Sequence, residues 1–401
     1  MKYSTVTKNL GFVPTFPITA VTLKRHPKVI RELCQNGVEF AVHGYIHTDY
    51  GVLTLEEQVR HFKQAIDTFD NCTVPYTGFR APFVRTNNQT FQALSNLGFP
   101  YDSSDVVHSD VIDGIEYSEN ARNEYRRILD FYQSRKAQDY LVLPRLIDGF
   151  VEIPVSMPDD EIMVERLDIT DENKISEIWG AILESSYNRG ELFTLQLHPE
   201  RISFCEKALV DVMRRSKALE PWIWVASLKE IAQWWQEKEN FNFEIHPQNS
   251  GIYRVKSNCA DRATILLKNV KVNVPKNDWF NGYESISVRE FLLESPVRPV
   301  IGLRKDSPMA MIKFFQREGY IVELDAEPKN CGIYFGNLTH FSEDDEKLLS
   351  REVEQSGAPL IRYWRWPNQA RSALSITGDI DSITLKDFVL RIFENWLQKR
   401  N

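Results

Sequence analysis

No stretch of this 401-residue chain approaches the roughly 20 consecutive apolar residues that a bilayer-spanning helix needs. Its opening, Met-Lys-Tyr-Ser-Thr-Val-Thr-Lys, also lacks the apolar core of a secretory signal. These two absences set the expectation of a cytoplasmic protein with no membrane span. Charge of one sign is missing as well: 48 Lys and Arg stand against 56 Asp and Glu, interspersed, for a net charge of -8. Such a surface offers no basic track for nucleic acid and no polybasic patch for an anionic membrane. Cysteine is scarce. Cys34, Cys72, Cys205, Cys259 and Cys331 are scattered and odd in number, without a C-x-x-C spacing, so neither a disulfide framework nor a cysteine zinc cluster is indicated. Reduced, buried thiols are the reading that remains. A G-x-G-x-x-G dinucleotide fingerprint is lacking too. What is present is an ordinary globular composition, 42% apolar, with length enough for a large core and two or three domains.

From about residue 10 to 236, short apolar runs alternate with amphipathic ones, the pattern of βα units around a mostly parallel sheet or barrel. Strands are expected at 12–19, 39–42, 151–155, 192–197 and 222–226, and helices at 26–36, 55–69, 90–97, 173–188, 204–216 and 228–238. Thr54 caps the second of these helices with acids in its first turn, and Gly98 ends the third. The texture changes near residue 241. Short alternating runs suggest a small β-rich module over 241–296, followed by a small α/β, flavodoxin-like unit over 297–370. A final strand at 373–377 and a helix at 385–397 cannot form a core alone and must dock elsewhere. That helix carries Leu385, Phe388, Val389, Ile392, Phe393 and Trp396 on a face expected to be buried.

The chemistry-bearing residues sit at opposite ends of the chain. His43 and His47 are four apart, expected on one face of a helical turn, and Asp379 and Asp381 lie in Ile-Thr-Gly-Asp-Ile-Asp near the finish. Two imidazoles and a carboxylate make a facial set for a divalent ion that leaves positions open for water, which points to chemistry rather than scaffolding. Taken singly, each of these residues has a structural alternative. His26, His61, His108, His246 and His340 fit no pattern and read as structural, and Trp222, Trp224, Trp234 and Trp235 read as core. Glu152 and Asp160 read as an acidic loop before they read as partners of a histidine or arginine.

Arg80-Ala81-Pro82-Phe83 and Leu195-Gln196-Leu197-His198-Pro199 complete an ordered set with the two histidines and the Thr-Gly-Asp-Ile-Asp run. Together these segments resemble the polysaccharide deacetylase family, the NodB-homology hydrolases of carbohydrate esterase family 4. The resemblance covers residues 10–236 and 373–399, with the family's first motif displaced from the front to the back. It implies an irregular (β/α) barrel, circularly permuted, built from residues 1–240 and 371–401. It also implies a metal-dependent hydrolase of carbon-nitrogen (non-peptide) bonds that removes N-acetyl or O-acetyl groups from a saccharide or saccharide precursor.

By the same resemblance His43, His47 and Asp381 would hold a divalent metal, zinc before others, and Asp379 would be the base. Ile380, an extra residue between the two aspartates, leaves open which of them is the ligand. Arg80 would pair with the base, the backbone N–H of Phe83 would meet the oxyanion, and His198 would protonate the leaving amine. Two departures stand out. Gly44 replaces a Ser or Thr that would brace the histidine turn, and the Asp and Trp of the fourth motif are not plainly present near Asp159 and Asp160. Two other readings compete: a hydrolase of a non-sugar C–N bond, of allantoinase or imidase type, and a catalytically silent carbohydrate-binding protein.

Overall fold

The computed structural model describes residues 2–115 and 118–398. Strand β1 (Thr15–Ile18) pairs in parallel with β2 (Glu39–Val42), Thr15 opposite Glu39. Beyond β2 the chain continues the ring with single bridges, Val42 to Phe79 and Phe79 to Asp102. Tyr101–Asp102 and Val106–His108 then pair with Phe150–Glu152 and Val155–Met157, and Ser156 pairs with Leu195 of β3 (Leu192–Leu197). Strand β3 runs along the whole of β4 (Ser372–Gly378), and Thr377 of β4 returns to Thr15 of β1. Ile223–Val225 covers the remaining edge of β4. Every pairing in this ring is parallel, so the carboxyl ends of its strands gather at one mouth of an irregular β/α barrel. Burial explains the composition of β3 and β4, which are buried at every position and read as continuous runs rather than alternating ones.

The C-terminal strand thus lies between β1 and β3, in the middle of the sheet. Gly378 is required there, because a Cβ would come within 2.4 Å of the Tyr3 ring. Tyr3 belongs to helix α1 (Lys2–Leu10), stacks on Phe16 at 5.1 Å, and donates from its hydroxyl to the Thr377 carbonyl at 3.0 Å. Tyr3 and Val6 bury α1 against the barrel.

That placement corrects the expectation for the last helix, α2 (Leu385–Gln398). Leu385, Phe388, Val389 and Phe393 are not buried; they are 80%, 48%, 45% and 57% exposed. The side chains of Ile392 and Trp396 lie outside the described residues. The flank of the barrel over Gly378 and Phe16 is already filled by α1, and α2 is held by its polar face instead. Arg25 pairs with Asp387 and Glu394, and the His26 ring lies 2.7 Å from Asp387.

Between 241 and 370 the chain builds three further sheets. One is antiparallel, joining Asn242–Asn249, Ile252–Asn258, Glu290–Glu294 and Lys271–Val272. A three-stranded parallel sheet joins Val322–Leu324, Arg298–Leu303 and Cys331–Phe335. The strand Leu360–Tyr363, expected to belong to that α/β unit, instead pairs antiparallel with Ile265–Lys268 in the third sheet. Its buried residues Leu360 and Ile361 stand opposite Lys268 and Leu267, while Arg362, opposite Leu266, is tied to Glu318 at 3.1 Å. Trp234, Trp235, Trp364 and Trp366 pack into the core shared with the barrel's underside, and the Trp234 indole donates to the Arg365 carbonyl at 2.7 Å.

Candidate metal centre and active site

All seven residues singled out above lie at the carboxyl-end mouth. His43 follows directly on β2, and Asp379 and Asp381 follow on β4. His43 and His47 do not share a helical turn; residues 43–49 form an irregular loop. Gly44 makes that loop possible. Its φ is +78°, and a Cβ there would approach the Ile46 carbonyl at 2.9 Å and the Tyr50 hydroxyl at 3.1 Å. The missing Ser or Thr is therefore not a simple loss of a brace, because Tyr50 fills the space.

The His43 Nε2 lies 3.4 Å and the His47 Nε2 3.3 Å from opposite oxygens of Asp381. These separations exceed a good hydrogen bond, and they match the edge of a tetrahedron whose centre-to-ligand bonds are about 2.1 Å, an edge of about 3.4 Å. The three side chains form one group of converging ligand atoms, all buried. Their outer contacts suit the same purpose. His43 donates from Nδ1 to the Arg80 carbonyl at 2.8 Å, which leaves Nε2 as the free lone pair. Asp381 Oδ1 is buried without a hydrogen-bond partner among the described residues. The residues present therefore fit a divalent ion.

Electrostatics reinforce the arrangement. Burial drives the His47 pKa down to about 3, so its ring is neutral and available as a ligand. Burial alone would raise Asp381, but His47, His43 and Arg391 together hold it well below the usual carboxylate range. Arg391, from α2, donates to Asp381 at 2.6 Å, a contact with no signal in the sequence.

Asp379 lies beside this group, its Oδ2 3.9 Å from His43 Nε2. Arg80, fully buried, donates to Asp379 Oδ1 at 3.0 Å and to Thr377 at 2.7 Å. The other edge of the guanidinium donates to the carbonyl and hydroxyl of Ser103, both at 2.8 Å. Ser103 and Ser104 are in turn set by Asp102 and Glu152. Phe83 adopts a left-handed backbone, φ +59°, and lays its ring edge on His47 with centroids 4.4 Å apart.

His198 follows β3. Its Nδ1 donates to Asp160 Oδ1 at 2.7 Å and its backbone N–H to Oδ2 at 2.7 Å. Burial opposes a charged imidazole, but Asp160 and then Asp159 overcome it and raise His198 well above its ordinary pKa. Asp159 is itself pushed up to about 7 by burial and by Asp160. Sequence reasoning passed over Asp160 as an acidic loop; the available signal was its place just after Ile-Pro-Val-Ser, where the fourth motif is expected.

Comparison with known proteins shows likenesses over part of the chain. Residues 4–101 match the model of the polysaccharide deacetylases. Over those residues, about a quarter of its length, the chain is similar to that family. A curated relative, the peptidoglycan deacetylase-like protein FGM2 of Gibberella zeae, is 31% identical over 91 residues, 22% of this chain and 27% of that protein. The match thus spans about a quarter of that relative's length. Two solved structures assigned to the polysaccharide deacetylases are also similar. The one from Mycobacterium smegmatis is 22% identical, covers 57% of this chain and 74% of its own, and has a TM-score of 0.42. The one from Pseudomonas aeruginosa PAO1 is 19% identical, covers 59% and 71%, and has a TM-score of 0.43. Both likenesses concern the fold. No described helix is long and apolar enough to cross a membrane.

Proposed function

We propose that this protein is a metal-dependent hydrolase of the polysaccharide deacetylase family that removes acetyl from an N-acetylated sugar or sugar precursor, using the family barrel in circularly permuted order. The observation that carries the reading is the meeting of Asp379 and Asp381, from the end of the chain, with His43, His47 and Arg80 from its beginning. A barrel's first and last units are neighbours, so one strand and helix can move across the termini without changing the ring. The domain division that accompanies this reading is a barrel of residues 1–240 and 371–401, bridged by 241–296 and 297–370.

His43, His47 and Asp381 would hold the ion, for which zinc suits a nitrogen-rich set. When bound, it supplies Lewis acidity to an acyl oxygen and acidity to a water. The remaining roles belong to the chain. Arg80 holds and aims the Asp379 carboxylate through its 3.0 Å hydrogen bond, and Asp379 accepts the proton of the water that attacks the acetyl carbon. The carbon–nitrogen bond then breaks as His198 Nε2 delivers a proton to the departing amine, and acetate and the amine leave. Asp160 fixes the His198 tautomer, with Nδ1 occupied and Nε2 facing outward. Phe83 walls His47, and its backbone N–H is the proposed oxyanion donor.

The test is acetate release from N-acetylhexosamine oligosaccharides, lipid-linked sugars and nucleotide sugars by zinc-loaded protein. Turnover that disappears with His43→Ala supports the reading. Release of ammonia or urea from ureides without acetate would replace it, and saccharide binding without any turnover would leave only the fold.

A further inference from the structure

At the amino ends of β3 and β4, opposite the catalytic mouth, lies a cavity of about 150 Å³. Strand β4 has seven residues, so Arg371 just before its start and Asp379 just past its end are separated by about 26 Å of strand. The cavity gathers Arg189 and Glu191 before β3, Lys347 and Arg351 from helix Glu343–Gln355, and Arg365 and Arg371 before β4.

The charges there do not balance. Glu191 is shared between Arg189 and Lys347. Glu318 is shared between Arg362 and Arg365, and Glu354 is taken by Arg362. Arg371 and Arg351 have no ion-pair partner among the described residues. Arg371 is the telling one. It is 3% exposed, its Nε is buried without a hydrogen-bond partner among the described residues, and one of its amino groups donates to the Asn188 carbonyl at 2.7 Å. Its guanidinium is sandwiched by Phe280, 4.0 Å from the ring centroid, and Trp364 at 5.0 Å, which fixes the fork without neutralising it. Burial, with Arg365 beside it, brings its pKa down to about 10, and burial brings Lys347 down to about 8. Glu354 also lines the cavity and acts on Arg371, but it is paired with Arg362, so the buried guanidinium is a standing cost that an anion would relieve.

We propose that this cavity is a binding site for a phosphoryl group, held by Arg371, Lys347 and Arg351. Cations from separate elements surround the space from several sides. That arrangement suits a tetrahedral oxyanion with three terminal oxygens better than a planar carboxylate, which one guanidinium fork would satisfy. The volume admits inorganic phosphate or the phosphate of a sugar phosphate whose sugar projects outward. The site is independent of the barrel chemistry.

The test is calorimetric titration of the full chain, purified without phosphate and held in about 150 mM chloride to screen weak surface binding. The titrants are inorganic phosphate and glucose 1-phosphate. Saturable one-to-one binding is expected, weakened about fivefold or more by Arg351→Ala, at the exposed rim, and by Arg371→Gln, and unchanged by Asp379→Asn. Arg351→Ala decides the matter if Arg371→Gln does not fold. Tighter binding of glucose 1-phosphate would mark the phosphoryl group as part of a larger ligand, and equal binding would mark free phosphate. No saturable binding at millimolar phosphate, or binding indifferent to Arg351→Ala, overturns the proposal.

Discussion

At the scale of single residues, the proposed division of roles between Asp379 and Asp381 rests on their neighbours. Asp381 faces two imidazoles as well as Arg391, whereas Asp379 is held by the fully buried Arg80. Asp379→Asn should therefore lower kcat by about 10²- to 10⁴-fold while metal content, measured by atomic absorption, stays at the parent level. Loss of metal instead would exchange the two roles. His198 carries a pH prediction. Its folded pKa is raised, so the charge-assisted contact with Asp160 stabilises the fold below the ordinary imidazole pKa and is lost as pH climbs through the elevated one. In the proposed mechanism the same proton is the one delivered to the amine. Asp160→Asn removes the charge that raises His198, and the alkaline limb of the kcat profile should move to lower pH; a limb that stays in place would assign it to another group.

At the scale of elements, α2 shows a helix whose apolar stripe is not its packing face. Phe388→Ser should change stability by no more than about 0.5 kcal/mol in urea unfolding, because Phe388 is 48% exposed. Phe16→Ala, beneath Tyr3 and Phe40, should cost about 3–5 kcal/mol. The loop that carries Ser103 and Ser104 rests on a second buried carboxyl pair. Burial pushes Asp102 up to about 6, and burial and Asp102 push Glu152 well above the carboxylate range. The folded state thus holds this proton more tightly than the unfolded chain does. Stability is greatest below the unfolded carboxylate pKa, about 4, and declines as pH rises through about 6. Glu152→Gln keeps an oxygen for the Ser104 and Asp105 N–H groups and removes the titration. Its urea midpoint should be flatter than the parent's across that window.

At the scale of the whole molecule, the closed ring makes the C-terminal strand indispensable. Strand β4 is paired on one edge with β3 along its length and on the other with β1 and Ile223–Val225. A chain ending at residue 371 would open the ring, leave two edges unpaired and expose Phe16 and Tyr3. Such a truncation should lose its cooperative thermal transition and become sensitive to protease; a sharp transition near the parent's would show that the barrel stands without β4.

Much of this was readable from the chain alone because local patterns encode it. β2 at 39–42, β3 at 192–197 and the helix at 228–238 carry their periodicity and caps within a few residues. Residue types at fixed spacing likewise marked His43, His47, Arg80, His198 and the two aspartates as candidates, since the side chains able to bind a metal or carry a proton come from a short chemical menu. Tertiary structure alone decided what depends on which surfaces are already taken. Helix α1, rather than α2, covers β4, because Tyr3 fits over Gly378 and leaves the flank full. Asp160 becomes the partner of His198, and Arg391 that of Asp381, only when segments 38 and 10 residues apart are folded to 2.7 and 2.6 Å. Amphipathic periodicity says that a face can be buried; the space left by the rest of the chain determines whether it is.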